Sequence, residues 1–155
     1  MPPLPQEDPS ASVPVALDQM VFSPLAGQIG SSLGSDFVIA EWRDRGTPPG
    51  PPVFIAPVHL HHHDDEAWYV LEGALAFRLG HEQVEAAAGT LVFAPHGVAH
   101  TFWNPRPEPA RYLLIMTPNI RRLIDDLHAT TDHSPETIAV IYQQHDSALV
   151  SEDAE

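Results

Sequence analysis

The residues best equipped for chemistry fall in one stretch, His59-Leu60-His61-His62-His63-Asp64-Asp65-Glu66. An extended strand sends alternate side chains to the same face, so His59 and His61 point the same way. Asp64 and Asp65 supply turn chemistry. Glu66 opens the apolar run Ala67-Trp68-Tyr69-Val70-Leu71, which reads as the returning strand. Such a hairpin brings two imidazoles and one carboxylate to a common point, the donor chemistry of a transition-metal site. His63 shares the parity of His59 and His61 and is an alternative donor, although it and His62 read first as solvated turn residues.

A second stretch runs from Gly89 through Pro95, His96 and Gly97 to His100, Phe102, Trp103 and Asn104. Together the two stretches resemble the paired motifs of the cupin superfamily. The first motif is Gly, five residues, His-x-His, three or four residues, Glu, six residues, Gly; His59, His61, Glu66 and Gly73 match it. The second is Gly, five residues, Pro-x-Gly, two residues, His, three residues, Asn; Gly89, Pro95, Gly97, His100 and Asn104 match every position. Val53 stands where the first motif begins with Gly, and the nearest upstream glycine is Gly50. That departure bears on the shape of a loop and not on the ligands. The resemblance implies that His59, His61, Glu66 and His100 hold one divalent transition metal per chain, either Fe, Mn, Ni, Co, Cu or Zn. Four protein ligands in a five- or six-coordinate shell leave one or two positions open, as a catalytic metal requires.

The elements that must position these residues are short strands separated by Gly and Pro turns. Strand composition recurs over 36–43, 53–61, 66–71, 74–79, 84–86, 91–94, 98–103 and 111–117. Pro57 marks its strand as an edge or a bulge. Such a series points to a sandwich or closed barrel, and the cupin resemblance implies an all-β jelly roll, the double-stranded β-helix. After Pro118 the period changes. Ile120, Leu123, Ile124 and Leu127 fall at helical spacing behind Asn119, read as the cap, and Ser134-Pro135 starts a second helix bearing Ile138, Ile141 and Tyr142. The expected organisation is an extended or flexible Pro-rich arm over 1–16, a barrel over 17–117 and a helical extension over 118–155 with a loose acidic end. A short helix or strand is possible within 20–25.

Composition narrows the chemistry. The chain has 155 residues, the size of one domain, with 21 acidic and 7 basic side chains and a formal net charge of −14. That charge repels phosphate backbones, so nucleic acid is not an expected partner. Every basic residue is Arg, which excludes lysine Schiff-base chemistry, and the absence of Cys excludes thiolate nucleophiles and ligands. No apolar run approaches a membrane span and the N-terminus lacks a signal-peptide pattern, so the expected location is cytoplasmic.

By strand parity Trp68 and Phe102 join Glu66 and His100 on the interior and are the expected walls of a substrate pocket. Tyr69 has the opposite parity and should face outward. Asn104 is expected to hold its strand end, and His96 is the better outside candidate among the remaining histidines. The chain resembles quercetinase-like single-domain cupins. That likeness implies a metal-dependent oxidoreductase, a dioxygenase acting on a small aromatic or enolic substrate, with Glu66 also serving as general base. A non-catalytic small-molecule-binding cupin and a non-redox isomerase or cyclase are the alternatives. Family habit implies a homodimer.

Overall fold

The computed structural model describes residues 21–22, 29–31 and 34–152. The arm expected over 1–16 lies outside the described residues, as does most of the segment 20–25. In chain order the elements are β1 (Ile29–Gly30), β2 (Val38–Asp44), β3 (His59–His61), β4 (Glu66–Glu72), β5 (Ala74–Leu79), β6 (Glu82–Ala87), β7 (Leu91–Ala94), β8 (His100–Trp103), β9 (Ala110–Met116), α1 (Pro118–Ala129), α2 (Pro135–Gln144) and β10 (Ser147–Leu149).

The strands form two five-stranded antiparallel sheets, in the orders β1-β2-β9-β4-β7 and β10-β3-β8-β5-β6. This is the all-β jelly roll with two short helices at its C-terminal end. Period-two patterning explains how the sheets enclose a core. Along β9, Ala110, Tyr112, Leu114 and Met116 are buried while the residues between them are half-buried. Tyr112 and Leu114 stand beside Val70 and Trp68 of β4 in register. From the other sheet Leu75, Phe77 and Phe102 close the core, with the Phe77 and Phe102 rings stacked 5.8 Å apart. Tyr69 points outward, as its parity requires.

The strand that carries the histidine pair is shorter than the composition suggests. Only His59–His61 is strand; Phe54 makes an isolated bridge to Trp103, and Ile55 N–H donates to the Phe102 carbonyl. Pro57 has no N–H to give a ladder, so 53–58 follows β8 as a bent segment. The strand expected over 98–103 likewise begins only at His100.

Thr117, not Asn119, caps α1. Its Oγ accepts from the Ile120 N–H at 3.2 Å, and Pro118 fills the first helical position, which needs no donor. Asn119 instead donates to Asp64 and to the His145 carbonyl. Ser134 caps α2 ahead of Pro135, as the sequence indicates. The C-terminal stretch departs from the expected loose end. Ser147–Leu149 forms β10, which pairs antiparallel with β3. Asn104 closes its strand end by donating to the Glu108 carbonyl and accepting from the Arg106 N–H. Among the described residues no helix is long and apolar enough to cross a membrane.

Gly73 turns β4 into β5 at a φ of +73°, and a Cβ there would meet the Pro109 carbonyl oxygen at 2.5 Å. Gly80 also has positive φ but opens onto free space. Gly73→Ala is therefore expected to cost more than about 1 kcal/mol, and clearly more than Gly80→Ala, in urea unfolding. Equal costs would contradict the close approach.

Candidate metal centre

β3 and β8 run side by side with His59 directly opposite His100. His61 lies two residues along the same face, and Glu66 opens β4 in the facing sheet. All four are buried, and one donor atom from each lies within 4.8 Å of every other. Glu66 Oε2 is 3.2 Å from His61 Nε2 and 3.1 Å from His100 Nε2. The His59 ring centroid is 4.4 Å from that of His100 and 4.9 Å from that of His61.

Hydrogen bonds on the far side of the rings determine which nitrogen faces the cluster. His59 Nδ1 donates to the Pro57 carbonyl at 2.6 Å, and His100 Nδ1 donates to the Val98 carbonyl at 2.9 Å. A carbonyl can only accept, so each ring commits its proton there and a neutral ring offers Nε2 as a bare lone pair. The His100 lone pair then faces an acceptor-only carboxylate at hydrogen-bond distance. Two acceptors in that relation are satisfied by a cation between them, either a proton on the ring nitrogen or a metal ion. Three imidazoles and one carboxylate suit a divalent transition ion. The residues therefore fit the metal that the cupin resemblance implies.

Burial, and next the neighbouring His100 imidazole, lower His59 to about 3, so it stays neutral and able to ligate. Burial acts to raise the Glu66 carboxyl, but where the His100 and His61 rings carry a proton on Nε2 and donate it to the carboxylate, those hydrogen bonds outweigh burial and bring it to about 2. Glu66 is an anion throughout the physiological range.

His59, His61 and Glu66 open onto a cavity of about 180 Å³. Phe102 and Tyr112 form part of its wall from the sheets, Ile120 and Leu123 from α1, and Tyr142 from α2. The Tyr142 ring lies 5.0 Å from the His59 ring. Burial, with Glu66 second, raises the Tyr142 phenol; burial, with Asp44 and Glu66 following, raises that of Tyr112. Both are neutral hydroxyls. Trp68 lies in the core cluster, 5.6 Å from the His100 ring and 5.4 Å from the Phe102 ring, and is not among the residues lining the cavity. The helical contribution was hidden in the sequence because Tyr142 reads there only as part of an apolar helix face.

The remaining polar residues of the first stretch are taken up elsewhere. His63 is exposed and pairs with Asp146 at 2.5 Å, outside the cluster. Asp64 accepts from Thr117 and Asn119, which ties the β3–β4 turn to α1. Asp65 accepts from both the backbone N–H and Nδ1 of His96, each at 2.8 Å, and that pair is exposed.

Residues 50–116 match the family model described as cupin domain. An uncharacterized protein of Streptomyces coelicolor is 37% identical over 57 residues, which is 37% of this chain and 53% of that protein. A sugar phosphate isomerase from Silicibacter pomeroyi is similar in structure with 27% identity and a TM-score of 0.46, over 54% of this chain and 51% of that one. A Klebsiella pneumoniae protein with a double-stranded β-helix domain shows 27% identity and a TM-score of 0.44, over 54% of this chain and 68% of that one. The chain thus spans about half the length of the curated relative it matches.

A pH dependence follows from the cluster. His59 titrates at about 3 when folded, against 6.5 ordinarily. The unfolded chain therefore binds a proton below 6.5 that the folded one refuses, and stability present above 6.5 is lost as pH falls. Glu66, also held below its ordinary value, adds a loss in the same direction below 4.5. Urea unfolding of metal-free protein should lose about 2 kcal/mol through His59 between pH 7.5 and pH 5, at about 1.4 kcal/mol per unit. The His59→Asn protein should lose correspondingly less, and an equal loss in both would refute the assignment.

Proposed function

We propose that the protein is a metal-dependent oxidoreductase, a dioxygenase acting on a small aromatic or enolic substrate bound inside the barrel. The cavity carries this reading. It joins His59, His61 and Glu66 to aromatic and aliphatic walls, and among the described residues no Arg lines it. A cavity of about 180 Å³ is close to the roughly 150 Å³ that encloses one benzene ring. A phosphorylated substrate would carry its charge into walls that, apart from His128 and the metal donors, are aromatic and aliphatic, with no guanidinium to meet it. A neutral ring or a compact enol fits better.

His59, His61, Glu66 and His100 would hold the metal. A bound divalent ion supplies a Lewis-acid centre and, if it is Fe, Mn, Ni, Co or Cu, access to oxygen chemistry. The remaining work falls to the chain. Phe102 and Tyr142 offer ring faces that orient a planar substrate. The neutral phenols of Tyr112 and Tyr142 can donate to a substrate oxygen. The apolar side chains of α1 exclude water. Glu66 is the carboxylate on the cavity wall and takes the substrate's hydroxyl proton as its contacts to His61 and His100 give way.

Oxygen uptake with a panel of catechols and flavonols, measured on protein loaded in turn with each candidate metal, tests the reaction. Uptake is expected with single-ring substrates and a redox-capable ion; none with any metal form would refute it. Glu66→Gln keeps the shape and removes the anion, and should lower uptake by about 100-fold or more, within the range of acid–base contributions. His59→Ala and His100→Ala should lose bound metal while retaining the β-sheet circular dichroism. Unchanged metal content in either would refute the ligand set.

A further inference from the structure

The strand that carries the histidine pair is held largely by a distant part of the chain. Within the barrel β3 has a single registered pair, His59 with His100. Its other edge is covered by β10, with Ser147 opposite His61, Ala148 opposite Leu60 and Leu149 opposite His59. Two further backbone bonds extend the seam. His62 N–H donates to the Asp146 carbonyl at 3.0 Å, and Val150 N–H donates to the Val58 carbonyl at 2.9 Å.

At the centre of this seam Ser147 is 2% exposed and its Oγ lies 2.7 Å from His61 Nδ1, also buried. The same hydroxyl donates to the His145 carbonyl at 3.1 Å. A serine hydroxyl has one proton. Sent to that carbonyl, it leaves Oγ as an acceptor, so the partner nitrogen of His61 carries hydrogen and, in the neutral ring, Nε2 faces Glu66 bare. His145's carbonyl is itself fixed, because Asn119 in the first turn of α1 donates to it at 2.8 Å and also donates to Asp64 at 2.8 Å. His59 and His100 obtain the same result from carbonyls two residues away in their own loops. His61 obtains it from a side chain 86 residues away.

We infer that Ser147 is a positioning residue of the metal centre, holding the His61 ring in the tautomer and orientation that aim Nε2 at the shared point. The inference rests on reading the four-residue cluster as a metal site. It makes the C-terminal segment part of that site and ties the geometry of one ligand to the first turn of α1.

The test begins with metal-free protein. Long-range proton–nitrogen NMR reports which nitrogen of each imidazole carries hydrogen. Wild-type His61 should be the Nδ1–H tautomer, and Ser147→Ala should convert it to a mixture while His59 stays unchanged. Co(II) titration should then show affinity about 10- to 100-fold weaker in Ser147→Ala, the usual loss when a ligand's outer partner is removed. Ser147→Thr, which restores a hydroxyl, should recover affinity to near wild type. An Nδ1–H His61 and undiminished Co(II) affinity in Ser147→Ala would overturn the inference. Should that variant not fold, an Nε2–H His61 in wild type overturns it alone. A wild-type protein that binds no Co(II) would instead count against the metal reading, while the tautomer result still decides what Ser147 does.

Discussion

Glu66 and the imidazoles of His59, His61 and His100 converge on one buried point, and the lone pairs they bring there, which need a shared cation, are the constraint to which the surrounding structure answers. A carboxylate and a bare imidazole nitrogen both carry lone pairs, and out of water neither can turn to solvent for relief. Two rings are prevented from turning their protons inward because carbonyl oxygens at Pro57 and Val98 claim them. The cluster holds together when a cation stands at its centre. The same burial that makes an empty cluster costly keeps His59 neutral and ready to ligate.

Holding the rings in this relation demands more backbone than the ligands themselves occupy. β3 is three residues long and is kept straight by β8 on one side and β10 on the other. Glu66 comes from the opposite sheet, so the centre bridges the two halves of the jelly roll. The helices then add the cavity. Leu123 sits in a small satellite core with Ile141 and Tyr142, and the same side chains form cavity wall. One surface thus serves both to dock the helices and to shape the space beside the donors.

Much of this was legible in the residues because the relevant spacings are local. Alternation along β4 and β9, the glycine turn at Gly73 and the Ser134-Pro135 helix start depend on neighbours a few positions apart. The legible part of the site was the set His59, His61, Glu66 and His100, which the structure brings to one point. What sequence could not show was long-range or competitive. The strand expected from Val53 failed because Pro57 offers no ladder donor, and the surviving three residues depend on β10, which an acidic tail gives no reason to expect. Thr117 and Asn119 are both capping residues, and Pro118 at the first helical position decided for Thr117. Tyr142 reads as helix core because its nearness to His59 arises only when α2 packs back on the barrel.

Elemental analysis of protein purified without a histidine tag, before and after reconstitution with divalent transition ions, tests the cation requirement most directly. A cluster of this kind should hold close to one transition ion per chain. A wild-type protein that remains metal-free after reconstitution, with its sheets intact, would contradict it and leave the four buried donors without the cation that their geometry demands.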